Sequence, residues 1–405
     1  MAADTLNPVT GELNLLDANF AACPQPVYAE VLERFRVATT AVIGAPLLSR
    51  YEDVIWALRH PEIFSSSMDI HMALGTERPM IPLQVDPPAQ TRYRKILDQR
   101  FSHKRSLELE PAVRRHANQL IDAVIERGEC EFGEALAIPL PCLTFLSLMG
   151  LPHEDLELFA ELKDGIIRPP VPASDLVGAY EHRAKTGQRI YAYFEKVIDD
   201  RLAQPGDDIV SYLTTAVIDG DRLSRNEILD ICYLFLLAGL DTVTATLGCS
   251  VAYLAANPSQ RRRFTQEPAL IPQAIEELLR WETPVTTVTR VVKQDVMVGD
   301  VEIKAGTMVN LLLGAADVDS GEFVDALRVD FERQQNRHVA FGGGPHRCLG
   351  SHLARMELRA ALEEWHRRIP EYSIKPGETP RFSPSIREVR YLPLVWDGRS
   401  AAKGL

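Results

Sequence analysis

The sequence lacks features that mark several common classes of protein. Its six cysteines include no C-x-x-C pair, so neither a zinc site of that type nor a disulfide framework is predicted, and a reducing compartment is favoured. Basic residues are outnumbered, with 44 Lys and Arg against 56 Asp and Glu and a net charge of −12. This balance argues against a protein that binds nucleic acid by neutralising phosphates.

The N-terminal stretch also lacks a basic segment followed by an apolar run. We therefore expect neither a secretory signal nor an N-terminal anchor, and a cytoplasmic location. No internal repeat, low-complexity tract or linker interrupts the chain, and 46% of its residues are hydrophobic. The sequence predicts a single domain over residues 1–405, with β-rich portions near residues 25–60, 285–313 and 370–396.

The longest helical pattern runs from about Ser224 to Ala256. Ser224 and Glu227 have the spacing of a capping box, and the pattern ends at an Asn-Pro pair. Its middle, Ile231 to Leu240, is almost wholly apolar, so we expect it to be buried on most sides. A membrane span is the alternative, but Asp241 and the threonines after it interrupt the run where a charge would be costly.

Other helical and strand-like patterns suggest a mainly α (α+β) protein, a helix-rich domain that carries small peripheral sheets. The further helices are predicted over Gln90 to Arg100, Glu108 to Arg127, Ala179 to Leu202, Ala269 to Trp281 and Leu349 to Arg368. The strand-like stretches are Val37 to Leu48, Val296 to Leu313 and Arg390 to Val395.

One loop carries the most chemical information, the run FGGGPHRCLG from Phe341 to Gly350. Three glycines and a proline predict a tight, non-repetitive loop, and the helical pattern starts directly after Cys348. Unpaired backbone N–H groups and the helix dipole are expected to stabilise a thiolate there, which is the form that binds metal. The alternative is a buried structural cysteine.

The loop matches the pattern F-x-x-G-x-H-x-C-x-G at every specified position, and so resembles the haem-binding loop of the cytochrome P-450 family. The resemblance implies the fold of that family, with heme b (iron protoporphyrin IX) between the long helix and the helix after the loop. Cys348 would be the axial thiolate of the iron. Phe341 would border the cofactor, Gly344 and Gly350 would let the backbone approach the porphyrin, and His346 would face a propionate. A solvent-facing histidine is the alternative for His346.

A second motif, Ala238 to Thr242, reads AGLDT in the middle of the long helix. Glycine weakens a helix, and the Thr242 hydroxyl can bond the carbonyl four residues before it, which tends to open the helix. The motif resembles the oxygen-activation motif of the same family. That resemblance implies that Gly239 borders the haem, that Thr242 donates a hydrogen bond to bound dioxygen, and that Asp241 supplies protons. The alternative is a threonine that only satisfies its hydroxyl within a core helix.

Three further motifs resemble the family pattern. Glu277 and Arg280 match its E-x-x-R pair, which implies a buried structural network behind the haem. Arg94 and Arg290 stand where propionate-binding arginines are expected, and a surface arginine is the alternative for each. Gln90 stands where many members have histidine, so a propionate contact from that position is doubtful.

Another departure lies at Ala316-Asp317-Val318-Asp319, where Asn-Arg-Asp is frequent in the family. The residues Phe323, Asp325 and Asp330 that follow agree with the usual pattern. We interpret the departure as a local change in a structural meander, without consequence for the chemistry.

These resemblances lead to the hypothesis of a soluble bacterial-type haem-thiolate monooxygenase. The electrons would come from NAD(P)H through a ferredoxin reductase and a ferredoxin, because no glycine fingerprint for a flavin or nicotinamide is present in the chain. Basic residues near the cysteine loop could steer an acidic partner despite the net negative charge. They are Arg347, Arg355, Arg359 and the run Arg261 to Arg263, for which a solvated helix end is the alternative.

The resemblance also implies a mostly apolar substrate site, which favours a terpenoid-like molecule, a steroid or a branched lipid over a charged metabolite. The residues expected to line it are Met68, Met72, Ile81, Leu83, Leu234, Ala238, Val285 and Val288. The AGLDT wording and Gln90 are similar to the camphor-hydroxylating members, which points to a compact terpenoid. Two other functions stay open, namely peroxide-driven chemistry on the same scaffold and a haem protein that binds a ligand without turnover. A protein without haem would be an all-α protein with a structural Cys348.

Overall fold

The chain is described by a computed structural model that covers residues 5–7, 10–41, 43–68, 74–172, 175–218, 220–383 and 386–398. Helices dominate it, as predicted. They are α1 (Ala18–Ala22), α2 (Gln25–Arg34), α3 (Tyr51–Arg59), α4 (Ala89–Leu97), α5 (His103–Asp122), α6 (Pro139–Met149), α7 (Leu156–Ile167), α8 (Leu176–Ala203), α9 (Ile209–Thr215), α10 (Arg225–Ala256), α11 (Pro258–Gln266), α12 (Ile271–Glu282), α13 (Leu313–Ala316) and α14 (Ser351–Arg368).

Short strands lie mainly in the first and last quarters of the chain. They are β1 (Glu12–Leu13), β2 (Val37–Thr40), β3 (Pro46–Leu48), β4 (Phe64–Ser65), β5 (Glu129–Glu131), β6 (Val217–Ile218), β7 (Asp221–Arg222), β8 (Thr287–Val292), β9 (Val296–Val298), β10 (Val301–Ile303), β11 (Met308–Leu312), β12 (Ser373–Ile374), β13 (Arg381–Ser383), β14 (Glu388–Tyr391) and β15 (Pro393–Val395). Short 3-10 turns lie at Ile125–Arg127, His153–Asp155, Pro268–Leu270 and Gly344–His346, and a π-helical turn at Gly133–Ala137.

The largest sheet joins distant parts of the chain in the order β1-β2-β3-β11-β8-β4. Strand β11 pairs parallel with β3 and antiparallel with β8, and β8 pairs antiparallel with β4. A three-stranded sheet has the order β12-β15-β5, and the pairs β6/β7, β9/β10 and β13/β14 form hairpins. The sheet therefore places β8, which carries Arg290, next to the start of the segment that leads to α4.

Helix α10 begins and ends where its capping signals predict. The Ser224 hydroxyl accepts from the Glu227 N–H at 3.3 Å, and the Glu227 carboxylate accepts from the Ser224 N–H at 2.6 Å, so both halves of the capping box are present. By length and composition this helix could cross a membrane, but 83% of its most apolar window is buried inside the protein. Helix α10 is therefore a core helix of the domain.

Two large apolar clusters flank α10. One joins it to α5, α12 and α14, where the fully buried Trp365 ring meets Phe132 edge-on at 4.9 Å between centroids. The other joins the N-terminal half of α10 to α6, α7 and α8. Leu349, the residue after Cys348, packs against this second cluster, to which Leu237 and Leu240 belong. The cysteine loop is thereby brought to the middle of α10.

Candidate functional site

The cysteine loop is closed by its own backbone. The Cys348 N–H donates to the Phe341 carbonyl at 2.8 Å, and the Gly342 N–H donates to the Val339 carbonyl at 2.7 Å. Helix α14 then starts at Ser351, with Gly350 as its N-cap. The sulfur thus lies just before a helix N-terminus.

Burial, however, raises the pKa of the Cys348 thiol above its ordinary value, against the opposing effects of the Gly350 N–H and of the guanidinium groups of Arg94, Arg347 and Arg355. The Cys348 side chain is exposed to the site, so the expected stabilisation of a thiolate by the helix N-terminus stays a prediction. A metal ion bound to sulfur keeps a thiol deprotonated without that help.

Helix α4 holds the loop from one side. Gln90, which is buried, donates from Nε2 to the Pro345 carbonyl at 2.6 Å. One turn later, Arg94 donates from Nη1 to the Arg347 carbonyl at 2.7 Å and pairs with Asp98 at 2.9 Å. The two side chains bracket His346. Gln90 therefore supports the loop backbone, a role that the family comparison of this position did not predict.

Gly344 and Gly350 of the cysteine loop have different surroundings. Gly344 has φ +61°, and a β-carbon there would lie 2.0 Å from the Leu58 carbonyl oxygen of α3. This contact with α3 requires glycine at position 344 whatever binds in the site, and the predicted approach to a porphyrin stays a prediction. A β-carbon on Gly350 would meet no described heavy atom within 4 Å, as expected for a position that borders a cofactor. Phe341 packs under the Arg355 guanidinium, 4.4 Å from its ring centroid.

A group of basic side chains lies beside the loop. Burial, with the nearby charges of Arg290 and Arg94, lowers the pKa of His346 to about 4, and its Nε2 atom is buried without a hydrogen-bond partner among the described residues. Burial also lowers the pKa of Arg290 to about 10, opposed by Asp86. Arg290 donates to the Thr289 carbonyl at 2.8 Å. The cluster is thus a buried, positively charged site for anionic groups.

These residues fit the predicted haem. One cysteine sulfur would bind the iron, the orphaned His346 nitrogen and the two arginines would bind the propionate groups, and the backbone at Gly350 leaves room. On α10, Ala238 and Gly239 are exposed although both neighbours, Leu237 and Leu240, are buried. The donor set and the shape of the site agree with a planar, dianionic cofactor.

Helix α10 is unbroken through the AGLDT motif. A β-carbon on Gly239 would have one described atom within 4 Å, in the Phe145 ring at 3.8 Å. The Thr242 hydroxyl donates to the Ala238 carbonyl at 2.9 Å. The expected opening of the helix is therefore absent, and the threonine bonds its own helix, as in the alternative considered for it.

Asp241 is fully buried on α10 and is held by two cations. Arg168 Nη2 lies 2.9 Å from Oδ1 and 2.8 Å from Oδ2, and Lys163 Nζ lies 3.2 Å from Oδ1. Arg168 Nη2 also binds the Glu388 carboxylate, and Nη1 binds Asp164 at 2.7 Å. The sequence reasoning missed Lys163, Arg168 and Glu388, which lie far from Asp241 in the chain and belong to no recognisable motif.

The E-x-x-R pair is completely buried. Arg280 meets Glu277 through two bonds of 2.8 Å and donates to the carbonyls of Asp317, at 2.7 Å, and Ala326, at 2.9 Å. Glu277 also accepts from the Arg333 guanidinium at 3.0 Å. This network ties α12 to the segment before the cysteine loop, as its predicted structural role requires.

Most of the basic residues expected to steer a partner are paired within the chain. Arg355 meets Glu276 through two bonds of 2.7 Å. The other pairs are Arg359 with Glu110 at 2.6 Å, Arg261 and Arg262 with Glu371 at 2.6 and 2.9 Å, and Arg263 with Glu267 at 3.3 Å. Arg261 is also buried. Of this set, Arg347 alone has no carboxylate partner in the described part of the chain, and the steering of an acidic partner by these residues stays a prediction.

The predicted substrate residues lie in different environments. Ile81 and Leu234 are buried in the apolar cluster on the N-terminal half of α10, Met68, Val285 and Val288 are half-buried, and Ala238 is exposed. Leu83 is 43% exposed. Met72 lies outside the described residues. Their joint role as a substrate site stays a prediction.

Comparisons with known proteins agree with this site. A family sequence model described as Cytochrome P-450 matches residues 169–368. The probable cytochrome P-450 127A1 of Sinorhizobium fredii is 37% identical over 340 residues, 83% of this chain and 80% of that protein. The steroid C26-monooxygenase of Mycobacterium tuberculosis is 34% identical over 369 residues, 89% of this chain and 90% of that protein. The crystal structure of CYP109E1 from Bacillus megaterium in complex with testosterone superposes with a TM-score of 0.87 at 29% identity, over 94% of this chain and all of that one.

Proposed function

The chain belongs to the cytochrome P-450 family and is a monooxygenase, and we propose that it holds heme b through Cys348 and oxidises a hydrophobic small molecule with dioxygen. When bound, a haem iron with a thiolate ligand activates dioxygen for insertion of one oxygen atom into the substrate. The observation that carries this proposal is the folded loop that presents a single cysteine sulfur beside an orphaned His346 and two arginines. Glu277 and Arg280 would keep that loop in place.

The propionates are assigned to Arg94, Arg290 and His346. Two guanidinium groups and a neutral imidazole N–H together supply donors to carboxylates, and the planar guanidinium suits them best. Arg290 gains most from this arrangement, because its positive charge is buried on β8. Phe341, Gly239 and Gly350 would line the planes of the cofactor.

Thr242 and Asp241 are assigned to proton handling. The Thr242 hydroxyl would turn from the Ala238 carbonyl to donate to dioxygen in the site, and Asp241 would carry a proton from solvent on its carboxylate. Both residues lie on one helix, in adjacent positions.

The substrate is assigned to apolar molecules of the steroid, branched-lipid or terpenoid class. The similar proteins from Mycobacterium tuberculosis and Bacillus megaterium are a steroid monooxygenase and a testosterone complex, and the predicted lining here is apolar. These relatives support the steroid class, beside the compact terpenoid suggested by the AGLDT wording and Gln90. Titrations with steroids, terpenoids, fatty acids and aromatic compounds test this by their shifts of the Soret band, and tight binding of polar ligands alone would refute it.

The electrons are assigned to a ferredoxin and its reductase in the cytoplasm. Arg347 supports this, because it is exposed on the loop next to Cys348 and is unpaired with any described carboxylate. An acidic partner could therefore approach the cysteine side of the site. Reduction rates with Arg347→Glu, measured at several salt concentrations, test the assignment, since an unchanged rate would remove this support.

The first test is the absorption spectrum of the purified protein, reduced with dithionite and exposed to carbon monoxide. We expect a strongly red-shifted Soret band, which Cys348→Ala abolishes together with activity. Cys23→Ala, which removes another exposed cysteine, is the matched control and keeps the band. A red-shifted band that survives in Cys348→Ala would overturn the ligand assignment.

The assignment of Thr242 has its own test. Thr242→Ala is expected to bind substrate as the parent does but to divert electrons from NADH to peroxide, because the hydroxyl donor is lost. The measurement is the ratio of product and peroxide formed to NADH consumed. An unchanged ratio contradicts the role.

A further inference from the structure

Arg168 lies at the end of α7 and forms ion pairs with three carboxylates. Its Nη1 atom serves Asp164 at 2.7 Å, while its Nη2 atom serves both Asp241, at 2.8 Å, and Glu388. Glu388 stands on β14, which runs along α10, and is 3% exposed. Two buried carboxylates from different elements therefore share one nitrogen atom.

The cluster is close to electrical balance. Lys163 and Arg168 face the three carboxylates of Asp164, Asp241 and Glu388, and Arg390 lies 3.7 Å from Glu388 on the solvent side. Arg390 is 44% exposed at its side chain. The cluster thus runs from the surface, at Arg390, to Asp241 in the core.

An Asp241 that carries protons has to leave Arg168. Breaking a buried ion pair is costly mainly because it leaves a buried charge without a partner. Here that cost is reduced on the cation side, since the Nη2 atom vacated by Asp241 still holds Glu388. Without Glu388, Nη2 would have Asp241 as its carboxylate partner, and Asp241 would be held more firmly.

We propose that Glu388 is a positioning residue that competes with Asp241 for Arg168 and so lets Asp241 leave its ion pair to deliver a proton. This inference rests on the role given to Asp241 in the proposed function. Asp241 takes a proton from bulk solvent as it leaves Arg168, gives that proton to dioxygen that has already received electrons in the site, and returns as a carboxylate. Only O–H bonds are broken and made at Asp241, and the electrons are those that NAD(P)H supplies to the reaction.

The test uses the haem-loaded enzyme with surrogate redox partners and compares Glu388→Gln with the parent. We expect product formation to fall on the order of tenfold, since positioned acid-base groups contribute factors of this size or more. We also expect a larger solvent deuterium isotope effect, because proton delivery becomes slower. The carbon monoxide spectrum and the substrate-induced Soret shift should be unchanged, since Glu388 contacts neither site.

Glu282→Gln is the matched control. Glu282 is a buried carboxylate that pairs with Arg387, the residue before Glu388, at 2.8 Å, and none of its described bonds involves Arg168 or Asp241. Losing it is expected to lower stability but to leave the isotope effect as in the parent. A Glu388→Gln variant that behaves like this control has lost a structural pair only, and the inference is then wrong.

Two further variants make the result decisive. Glu388→Asp keeps the negative charge on a side chain that is shorter by one methylene. We expect its rate and isotope effect to lie between those of the parent and those of Glu388→Gln. This variant replaces Glu388→Gln in the test if Glu388→Gln yields no haem protein. An Asp241→Asn variant with the rate and isotope effect of the parent would refute the proton role of Asp241 itself. If Asp241→Asn is impaired while both Glu388 variants match the parent, the proposed function stands and the inference about Glu388 fails.

Discussion

Replacing Asp317 by asparagine should stabilise the protein above pH 6. Asp317 is fully buried at the junction of the E-x-x-R network and the segment that enters the cysteine loop. Its Oδ1 accepts from the Val339 N–H at 2.6 Å, and its Oδ2 lies 2.9 Å from the Thr283 hydroxyl. That hydroxyl also lies 2.9 Å from the Arg280 carbonyl, and its single proton can satisfy only one of these two acceptors.

The conflict disappears when the side chain at position 317 donates a hydrogen bond. A protonated Asp317, or an asparagine amide, donates to the Thr283 hydroxyl, which then donates to the Arg280 carbonyl. Burial accordingly raises the pKa of Asp317 from 3.8 to about 6. At about 1.4 kcal/mol per pKa unit, the ionised side chain costs the folded protein about 3 kcal/mol.

The sign of the pH dependence follows from this direction. The folded protein binds the proton more tightly than the unfolded chain, so the cost is absent below pH 3.8, grows up to about pH 6 and is constant above it. Asp317→Asn should therefore gain about 3 kcal/mol at pH 8 and about half of that at pH 5. For a protein of this size the gain corresponds to a rise in Tm on the order of 5 °C at pH 8.

The assay is thermal unfolding of the haem-loaded protein from pH 5 to pH 8, followed by circular dichroism and by the Soret band. Asp319→Asn is the control, because both Asp319 oxygens accept from backbone N–H groups, of Tyr51 at 2.9 Å and Gly321 at 2.8 Å. An amide there loses an acceptor and should destabilise the protein by about 1 kcal/mol. Destabilisation by Asp317→Asn at pH 8, or a gain independent of pH, would refute the reasoning.

Two further substitutions test the support of the cysteine loop. Gly344→Ala should prevent recovery of haem-loaded protein, because its β-carbon would lie 2.0 Å from the Leu58 carbonyl oxygen. The control is Gly342→Ala, which has a similar φ of +65° and no described backbone atom so near, and which should lower the stability by only about 1–2 kcal/mol. Equal yields of the two variants would contradict the predicted clash. Gln90→Leu removes the donor to the Pro345 carbonyl and should weaken the fold by about 1–3 kcal/mol. Haem-loss rates in urea measure this effect, and a rate equal to that of the parent would show that the bond is dispensable.

The fold could be predicted where local signals are strong. Helix α10 begins at a capping box and ends at an Asn-Pro pair, and both limits agree with the sequence. Helix α6 was missed because eight of its eleven residues are buried, so it has no polar face and no helical period. Strand β8 lies within the predicted β-rich portion of residues 285–313, but its own limits were not predicted, because its half-buried residues do not alternate clearly. Long-range pairing, such as β3 with β11, leaves no local trace in the sequence.

The site residues also fall into those that local motifs predict and those that they do not. Cys348, Thr242 and the Glu277/Arg280 pair belong to short motifs whose spacing carries their meaning. Arg168 and Glu388 are 220 residues apart, and nothing in their neighbourhoods predicts that they meet at Asp241. The departure at Asp317 was visible in the sequence but was interpreted as without consequence for the chemistry. Its burial, which the sequence does not reveal, makes it relevant to stability.

The ion pairs of the arginines near Cys348 also weaken the long-range attraction that this surface exerts on an acidic protein. Counted from the sequence, Arg347, Arg355 and Arg359 form a positive patch, but Arg355 and Arg359 are neutralised by Glu276 and Glu110. An ion-paired arginine contributes little to the field at a distance, because the charge of its partner carboxylate cancels its own. Mobile ions screen what remains beyond a Debye length of about 8–10 Å. Docking of an acidic protein would therefore depend on close contact with Arg347 more than on long-range steering. Salt should then weaken the complex mainly by speeding dissociation, while the association rate changes little.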